Sequence, residues 1–458
     1  MKKTLRTLSF VVLVLATASC RDYVEIDLVG QRELKYTDDY QSILNTSLQV
    51  EQSFYYPILA SDDIYSADET YLNRLFVADA NAYTWRSDIV GDNAEDTDWS
   101  KLYNQIYKFN LIAAEVTDSQ NGTESQKKNI LAQAKVHRAL NYFYLVNIYA
   151  KQYDPNTAAS DLGVPLLTTP DLYARLDRKS VQAIYEQIIS DLTSAMPDLS
   201  VKANVNILAS QVAAKAILAR VYLQMRNYDM ALQYAEETLG IQSGLVNLNQ
   251  YIAAPNTYPA TLNDPEEIFI KTPGNSYPTL ALNPELLALF EEGDLRNELF
   301  TAEGSAFGTW NAFAGKGYWK HRIISQNGKV TNGPNVPEMM LIKAEALARS
   351  ANRSAEAITV LDDLRRTRFR PEDFTELSSS DPTEILHQVI AERRKELMAK
   401  GLRWFDQKRL AREAGFITTQ TRTYKGETYT LEPNSNRYVF PIASKYIVLN
   451  PEIEQNPR

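Results

Sequence analysis

Residues 210–239, SQVAAKAILARVYLQMRNYDMALQYAEETL, constrain this chain more than any other stretch. Ala213, Ala216, Ile217, Arg220, Val221 and Gln224 recur at three- and four-residue steps, as do Ala231, Tyr234, Ala235 and Thr238, so the segment predicts two helices broken at Arg226-Asn227. Small residues at Ala216, Ala219, Ala231 and Ala235 let the two axes approach to roughly 8–10 Å. The large-small pair Tyr222 and Ala231 across the turn matches a tetratricopeptide-like (TPR-like) hairpin. One such hairpin cannot bury its own apolar face, so the chain must supply others to stack on it.

It does. Trp99, Leu102, Tyr103, Ile106, Tyr107, Asn110 and Leu111 keep helical spacing in a helix opened near Asp98. The next helix, capped by Thr123 or Ser125, carries Ala134, Arg138, Tyr142, Leu145 and Tyr149. Ser180 caps a further helix that Pro197 ends. From Pro337 the hairpin logic returns, and the interval Ala348 to Ala357 equals that from Tyr222 to Ala231. A helix over 382–400 is expected to stop at Gly401 in a left-handed cap, and the chain beyond Tyr424 to be extended. Between these helices lie two stretches of weak periodicity. One, 55–98, interleaves acids and amides with aromatics; the other, 240–337, is dense in Gly and Pro, with short runs such as Glu267–Lys271 that could be strands. Long irregular segments between helices are usually functional.

A formal net charge of −9 argues against a nucleic-acid footprint, which needs clustered Lys and Arg. Lys2, Lys3 and Arg6 precede an apolar run from Phe10 to Ala16, then Ala18, Ser19 and the single cysteine, Cys20. That is an export signal too short to span a bilayer, ending in what resembles a bacterial lipobox in which Cys20 is acylated. The mature chain then has no free thiol for disulfides, thiolate metal sites or nucleophilic catalysis. The expected layout is a signal peptide over 1–19, a lipid-anchored tether over 20–38, an N-terminal helical region over 39–240 and a C-terminal region over 241–458. The last divides into an irregular part, 241–336, a helical part, 337–412, and an extended tail, 413–458.

Five pieces carry a family resemblance. They are Val136–Leu145 (VHRALNYFYL), Ala214–Leu223 (AKAILARVYL), Met340–Leu347 (MLIKAEAL), Glu392–Leu397 with Gly401–Asp406 (ERRKEL and GLRWFD), and the tail Phe440–Ile442 with Asn450-Pro451 and Gln455–Pro457. In this order and spacing the chain resembles the SusD/RagB family of Bacteroidetes outer-membrane lipoproteins. The resemblance implies a mainly α fold, a SusD-like α-α superhelix of TPR-like hairpins packed against a loop-rich region with short strands. It also implies a cell-surface lipoprotein, anchored in the outer membrane, that caps a SusC-like TonB-dependent transporter and holds an oligosaccharide, or in RagB-like members a peptide, for import.

A sugar site needs flat rings and hydroxyl partners, and the two irregular regions hold that mixture. The ring candidates are Tyr65, Tyr71, Tyr83, Trp85, Tyr277 and Trp310, and the polar candidates Asp68, Asn81, Arg86 and Asn275. Trp99 and Trp404 fall in helical scaffold and are expected in the core. Arg138, Glu392, Arg393 and Glu396 are expected in structural ion pairs, such as Glu396 with Lys400. His137, His321 and His387 stand apart, without a metal-ligand spacing. No GxSxG, P-loop or GxGxxG is present, so neither an enzyme nor a cofactor or metal is expected. A secreted glycoside hydrolase, built on some pair among the 57 Asp and Glu, and a TPR scaffold binding protein helices are the competing readings. Replacing Cys20 with Ser is expected to release the protein from the membrane fraction and abolish labelling by radioactive palmitate; an unacylated wild type would overturn the anchor.

Overall fold

The computed structural model describes residues 34–46, 50–273, 280–308, 311–318 and 330–458. The first helix of the described residues is α1 (Thr37–Leu44), two residues before the expected start. The segment 55–98 is less irregular than its pattern suggests, because short helices α2 (Tyr56–Ala60), α3 (Glu69–Leu72) and α4 (Val77–Tyr83) interrupt it. The long helices α5 (Thr97–Glu115) and α6 (Glu124–Tyr149) follow, then the strands β1 (Leu162–Pro165) and β2 (Arg178–Ser180), then α7 (Val181–Ala195). The hairpin read first in the sequence is α8 (Gln211–Gln224) and α9 (Tyr228–Ile241). After α10 (Pro284–Leu287), α11 (Leu295–Phe300), β3 (Thr301–Glu303) and β4 (Lys316–Tyr318) comes a second helical block. It comprises α12 (Val336–Arg349), α13 (Ser354–Arg365), α14 (Pro382–Glu396) and α15 (Leu402–Leu410). The tail is not uniformly extended: β5 (Gln420–Tyr424) and β6 (Glu427–Leu431) form a hairpin, and α16 (Ser444–Leu449) ends the helices. Among the described residues the three two-stranded sheets are antiparallel.

Polar residues start the long helices. Asp96, two residues earlier than expected, accepts from the Asp98 and Trp99 amides at 2.9 and 3.1 Å. Thr123 and Gln126 form a reciprocal capping box. Ser180 and Ser210 each accept from the amide three residues on. Helices α5 to α9 pack in sequence, and α12 packs on both α9 and α13, so the two blocks form one stack. At the founding hairpin Ala216, Ala219, Ala231 and Ala235 are fully buried, and Tyr222 stacks on Tyr234 at 5.6 Å. The second half of α6, from Val136, is buried all round, which makes it the central helix. Trp99 and Trp404 lie in the core as expected.

Two expectations need correction. Gly401 has the left-handed φ of +81°, yet it opens α15 rather than closing α14, which already ends at Glu396. A Cβ there would lie 2.6 Å from Phe54, so close approach adds to the conformational demand for Gly. Glu267–Lys271 is no ladder strand; it is a buried run with a single bridge from Glu267 to Asn335.

The charged residues of the helical blocks form a continuous buried web. Arg220 of α8 bonds Glu338 of α12 at 2.8 Å, and Glu338 lies 3.6 Å from Arg393 of α14. Arg393 bonds Asp406 of α15 at 2.9 Å, and Asp406 accepts from Arg409 at 2.8 Å. Arg409 and Arg349 share Glu345, at 2.7 and 3.0 Å. A neighbouring group joins Arg296 to Asp294, Glu392 and Glu396, and Glu396 to Arg368. Glu396 thus pairs with Arg296 and Arg368, where the four-residue rule pointed to Lys400, because tertiary partners lie closer. Burial pushes the Glu392 carboxyl up, and Arg296 and Lys395 outweigh it, holding it at about 2.

Glu345→Ala, which strips Arg409 and Arg349 of a shared buried partner, is expected to lower the unfolding free energy by about 3–5 kcal/mol in urea titration. A loss below about 1 kcal/mol would show the web to be dispensable. Glu392 has its folded value depressed from 4.5 to about 2, so its stabilisation is present above 4.5 and lost as pH falls through that window. Thermal midpoints taken across that range are expected to fall, and to fall less in Glu392→Gln.

Candidate functional site

The two irregular regions, distant in sequence, meet on one face. Asp62 and Asp63 anchor the first of them to the helical block: Arg403 grips Asp62 at 2.8 and 2.9 Å, and Arg394 bonds Asp63 at 3.1 Å. Burial raises the Asp62 carboxyl, and Arg403 and Arg394 reverse this, leaving it at about 2. From this anchor the chain is laced to 280–318. The Asn283 side chain donates to the Asp62 carbonyl at 2.8 Å, and the Tyr65 amide donates to Ala281 at 3.0 Å. Asp68 caps α3 through one carboxylate oxygen and accepts from the Ala314 amide at 2.9 Å through the other. The Ala314, Tyr71 and Thr70 amides hold its carboxyl below the usual range. Arg74 donates to the Ala312 carbonyl at 2.6 Å, and Tyr71 packs on Phe313 at 5.0 Å.

The expected residues separate by environment. Tyr65 and Asp68 are half-buried, and Arg86 is exposed. Asn81 is half-buried and staples its own turn, donating to Ile89 at 2.9 Å. Tyr71, Tyr83 and Trp85, read from the sequence as ligand-facing rings, are core groups; Trp85 is 1% exposed. Tyr71 packs on Phe313; for Tyr83 and Trp85 the physical reason is Arg422, on β5. Its guanidinium lies 4.1 Å from the Tyr83 ring centroid and 4.4 Å from that of Trp85. It also donates to the carbonyls of Leu59, Ser61, Ile64 and Tyr83, and burial lowers its pKa to about 10. The Trp85 indole donates to Ala60 at 2.8 Å, and its φ of +53° marks the sharp turn that directs it inward. Asn275, Tyr277 and Trp310 lie outside the described residues, as does Cys20.

The sequence reading passed over Phe76, 80% exposed at the start of α4, and over the β5–β6 hairpin, where Tyr429 and Glu427 meet Arg86. The hairpin had a signal: alternating TRTY and ETYT flank a Lys425-Gly426 turn, and both turn residues have positive φ. Asp79, half-buried on α4, is raised to about 6 by burial, and two further carboxylates are raised into the range useful for acid-base work, Asp98 to about 7 by burial and by Asp96, and Asp96 to about 6 by burial. Both are buried at the start of α5, where Asp98 accepts from the Tyr55 and Tyr56 amides and Asp96 from the Tyr149 hydroxyl. Neither can reach a sugar. Among the described residues no three His, Cys, Asp or Glu converge as metal ligands, and no helix is long and apolar enough to cross a membrane.

A stack of helical hairpins that supports a face of knitted loops defines a class of binding protein, and comparison with known proteins identifies it. Residues 29–223 match a SusD-like family model described as starch-binding and associating with the outer membrane, and residues 327–458 match the SusD family model. SusD-like protein P38 of Formosa agariphila is 22% identical over 433 residues, covering 80% of each chain. A SusD superfamily protein from Bacteroides thetaiotaomicron has the same fold, with a TM-score of 0.74 at 22% identity over 92% of this chain and 100% of its own. A SusD-like carbohydrate binding protein from Bacteroides vulgatus gives 0.67 at 20% identity, over 92% and 97%. The chain belongs to the SusD/RagB family.

Trp85→Ala is expected to act on the fold, lowering the unfolding free energy by about 3–5 kcal/mol. Full stability combined with lost ligand binding would return Trp85 to the binding surface.

Proposed function

We infer that this protein is a non-catalytic lipoprotein of the outer-membrane surface that binds an oligosaccharide and delivers it to a SusC-like TonB-dependent transporter. The observation that carries this reading is the convergence of 62–74, 280–283 and 311–318 on one face, in a family described as starch-binding and associating with the outer membrane. The name of the carbohydrate binding relative from Bacteroides vulgatus supports it. Tyr65, Asp68, Asn81 and Arg86, with Asn275, Tyr277 and Trp310 of the adjoining segments, are the proposed contacts. A half-buried ring held by backbone bonds offers an apolar face at little entropic cost, and fixed carboxylate, amide and guanidinium groups suit sugar hydroxyls.

The soluble chain from residue 21, titrated calorimetrically against a panel of glycans and oligopeptides, is expected to bind a glycan. Tyr65→Ala and Trp310→Ala are each expected to weaken that binding by about 1–3 kcal/mol, in line with other ring-stacking contacts. Selective binding of peptides would shift the reading to RagB-like uptake; release of new reducing ends would overturn it. Affinity purification from outer membranes is expected to recover a large TonB-dependent barrel with the chain.

A further inference from the structure

The aromatic rings between residues 55 and 98 are mostly packed away: Tyr56, Tyr71, Tyr83 and Trp85 are core groups, and Tyr55 and Tyr65 are half-buried. Phe76 departs from them, 80% exposed with Val77 beside it at 72%. Three residues on, Asp79 is half-buried and makes no hydrogen bond or ion pair among the described residues. Elsewhere buried carboxylates are closed by guanidinium groups, as Asp191 is by Arg138 and Asp406 by Arg393. The oxygens of Asp79 also stay open to solvent, whereas Oδ1 of Asp98 is sealed in without a partner. Residues three apart on a helix are surface neighbours, with Cβ atoms about 5–6 Å apart, so this ring and this carboxylate open on one side of α4.

The pair borders the seam between the two irregular regions. Arg74, two residues before Phe76, donates to the Ala312 carbonyl at 2.6 Å. Burial raises the Tyr56 and Tyr71 hydroxyls, and the nearby charge of Asp79 adds to it, which sets Asp79 beside both α2 and α3. The Tyr71 hydroxyl in turn accepts from the Ala281 amide at 3.3 Å. A carboxylate drawn partly out of water with no donor costs free energy that sugar hydroxyls would return. The exposed ring gives the apolar face of a pyranose a platform at little ordering cost. An anionic group on the same sugar would meet the like charge of the carboxylate. We propose that Phe76 and Asp79 form a subsite for a neutral sugar ring, Phe76 covering its apolar face and Asp79 accepting from its hydroxyls while turning anionic sugars away. This rests on the nutrient-binding reading and narrows its ligand class.

The test is a calorimetric titration of the soluble chain from residue 21 with a broad panel of glycans, each neutral member beside its uronate counterpart of the same length, at about 20 mM salt. At about pH 7.5 the neutral member is expected to bind about tenfold more tightly. Phe76→Ala, a change at an exposed side chain, is expected to weaken neutral binding about tenfold, and Phe76→Trp to retain it. Asp79→Asn is expected to let the uronate bind as well as the neutral member. In the wild type the preference is expected to fade as pH falls through about 6, where Asp79 gains its proton, and Asp79→Asn is expected to show no such change. Tyr56 and Tyr71, the titratable groups facing Asp79, stay neutral over that range. No preference in the wild type, a preference kept in Asp79→Asn, or full neutral affinity in Phe76→Ala would each overturn the subsite. If neutral glycans bind and respond to Tyr65→Ala but to neither Phe76→Ala nor Asp79→Asn, only this subsite falls. If no glycan of the panel binds, the nutrient-binding reading falls with it.

Discussion

The buried web of arginines and carboxylates is the constraint on which the rest of the structure depends. Each guanidinium in it bridges elements that hydrophobic contact alone would leave free to slide: Arg220 ties α8 to α12, Arg393 ties α14 to α15, and Arg409 ties α15 back to α12. Pairing buried charges adds little net stability over an apolar core, but leaving one unpaired is costly, so such a web selects one arrangement of helices over its neighbours. The ERRKEL and GLRWFD pieces that carry part of the family resemblance are mostly this web. Arg393, Arg394 and Glu396 come from the first, Arg403 and Asp406 from the second.

The same web reaches out to the candidate face. Arg394 and Arg403 hold Asp62 and Asp63, and from that anchor the loop is bonded to 280–283 and 311–318. Arg422 fixes the other edge by filling the space inside the 59–64 and 83–85 turns, where several carbonyls point inward and need donors. The loops therefore have few ways to rearrange. A surface built this way is pre-organised, and a ligand that meets it loses less free energy to ordering.

How far the sequence could be read depended on whether a property was local. The α8–α9 hairpin, the caps at Thr123 and Ser180, and the core positions of Trp99 and Trp404 follow from three- and four-residue spacing and from capping chemistry, and all were legible. The fate of Tyr83 and Trp85 was not legible, because it is set by Arg422, more than three hundred residues away. The same distance in sequence hid Glu427 and Tyr429 as neighbours of Arg86, and Arg368, in another element, was equally hidden as the partner of Glu396.

By itself, then, the sequence determined a stack of TPR-like helical hairpins interrupted by two long excursions, because helical periodicity and capping are interactions over three or four residues. Only the tertiary structure decided which aromatics point outward and which carboxylates are structural. Those outcomes depend on where a few buried guanidinium groups find partners, and the partners lie in other parts of the chain that come together only when the two helical blocks pack.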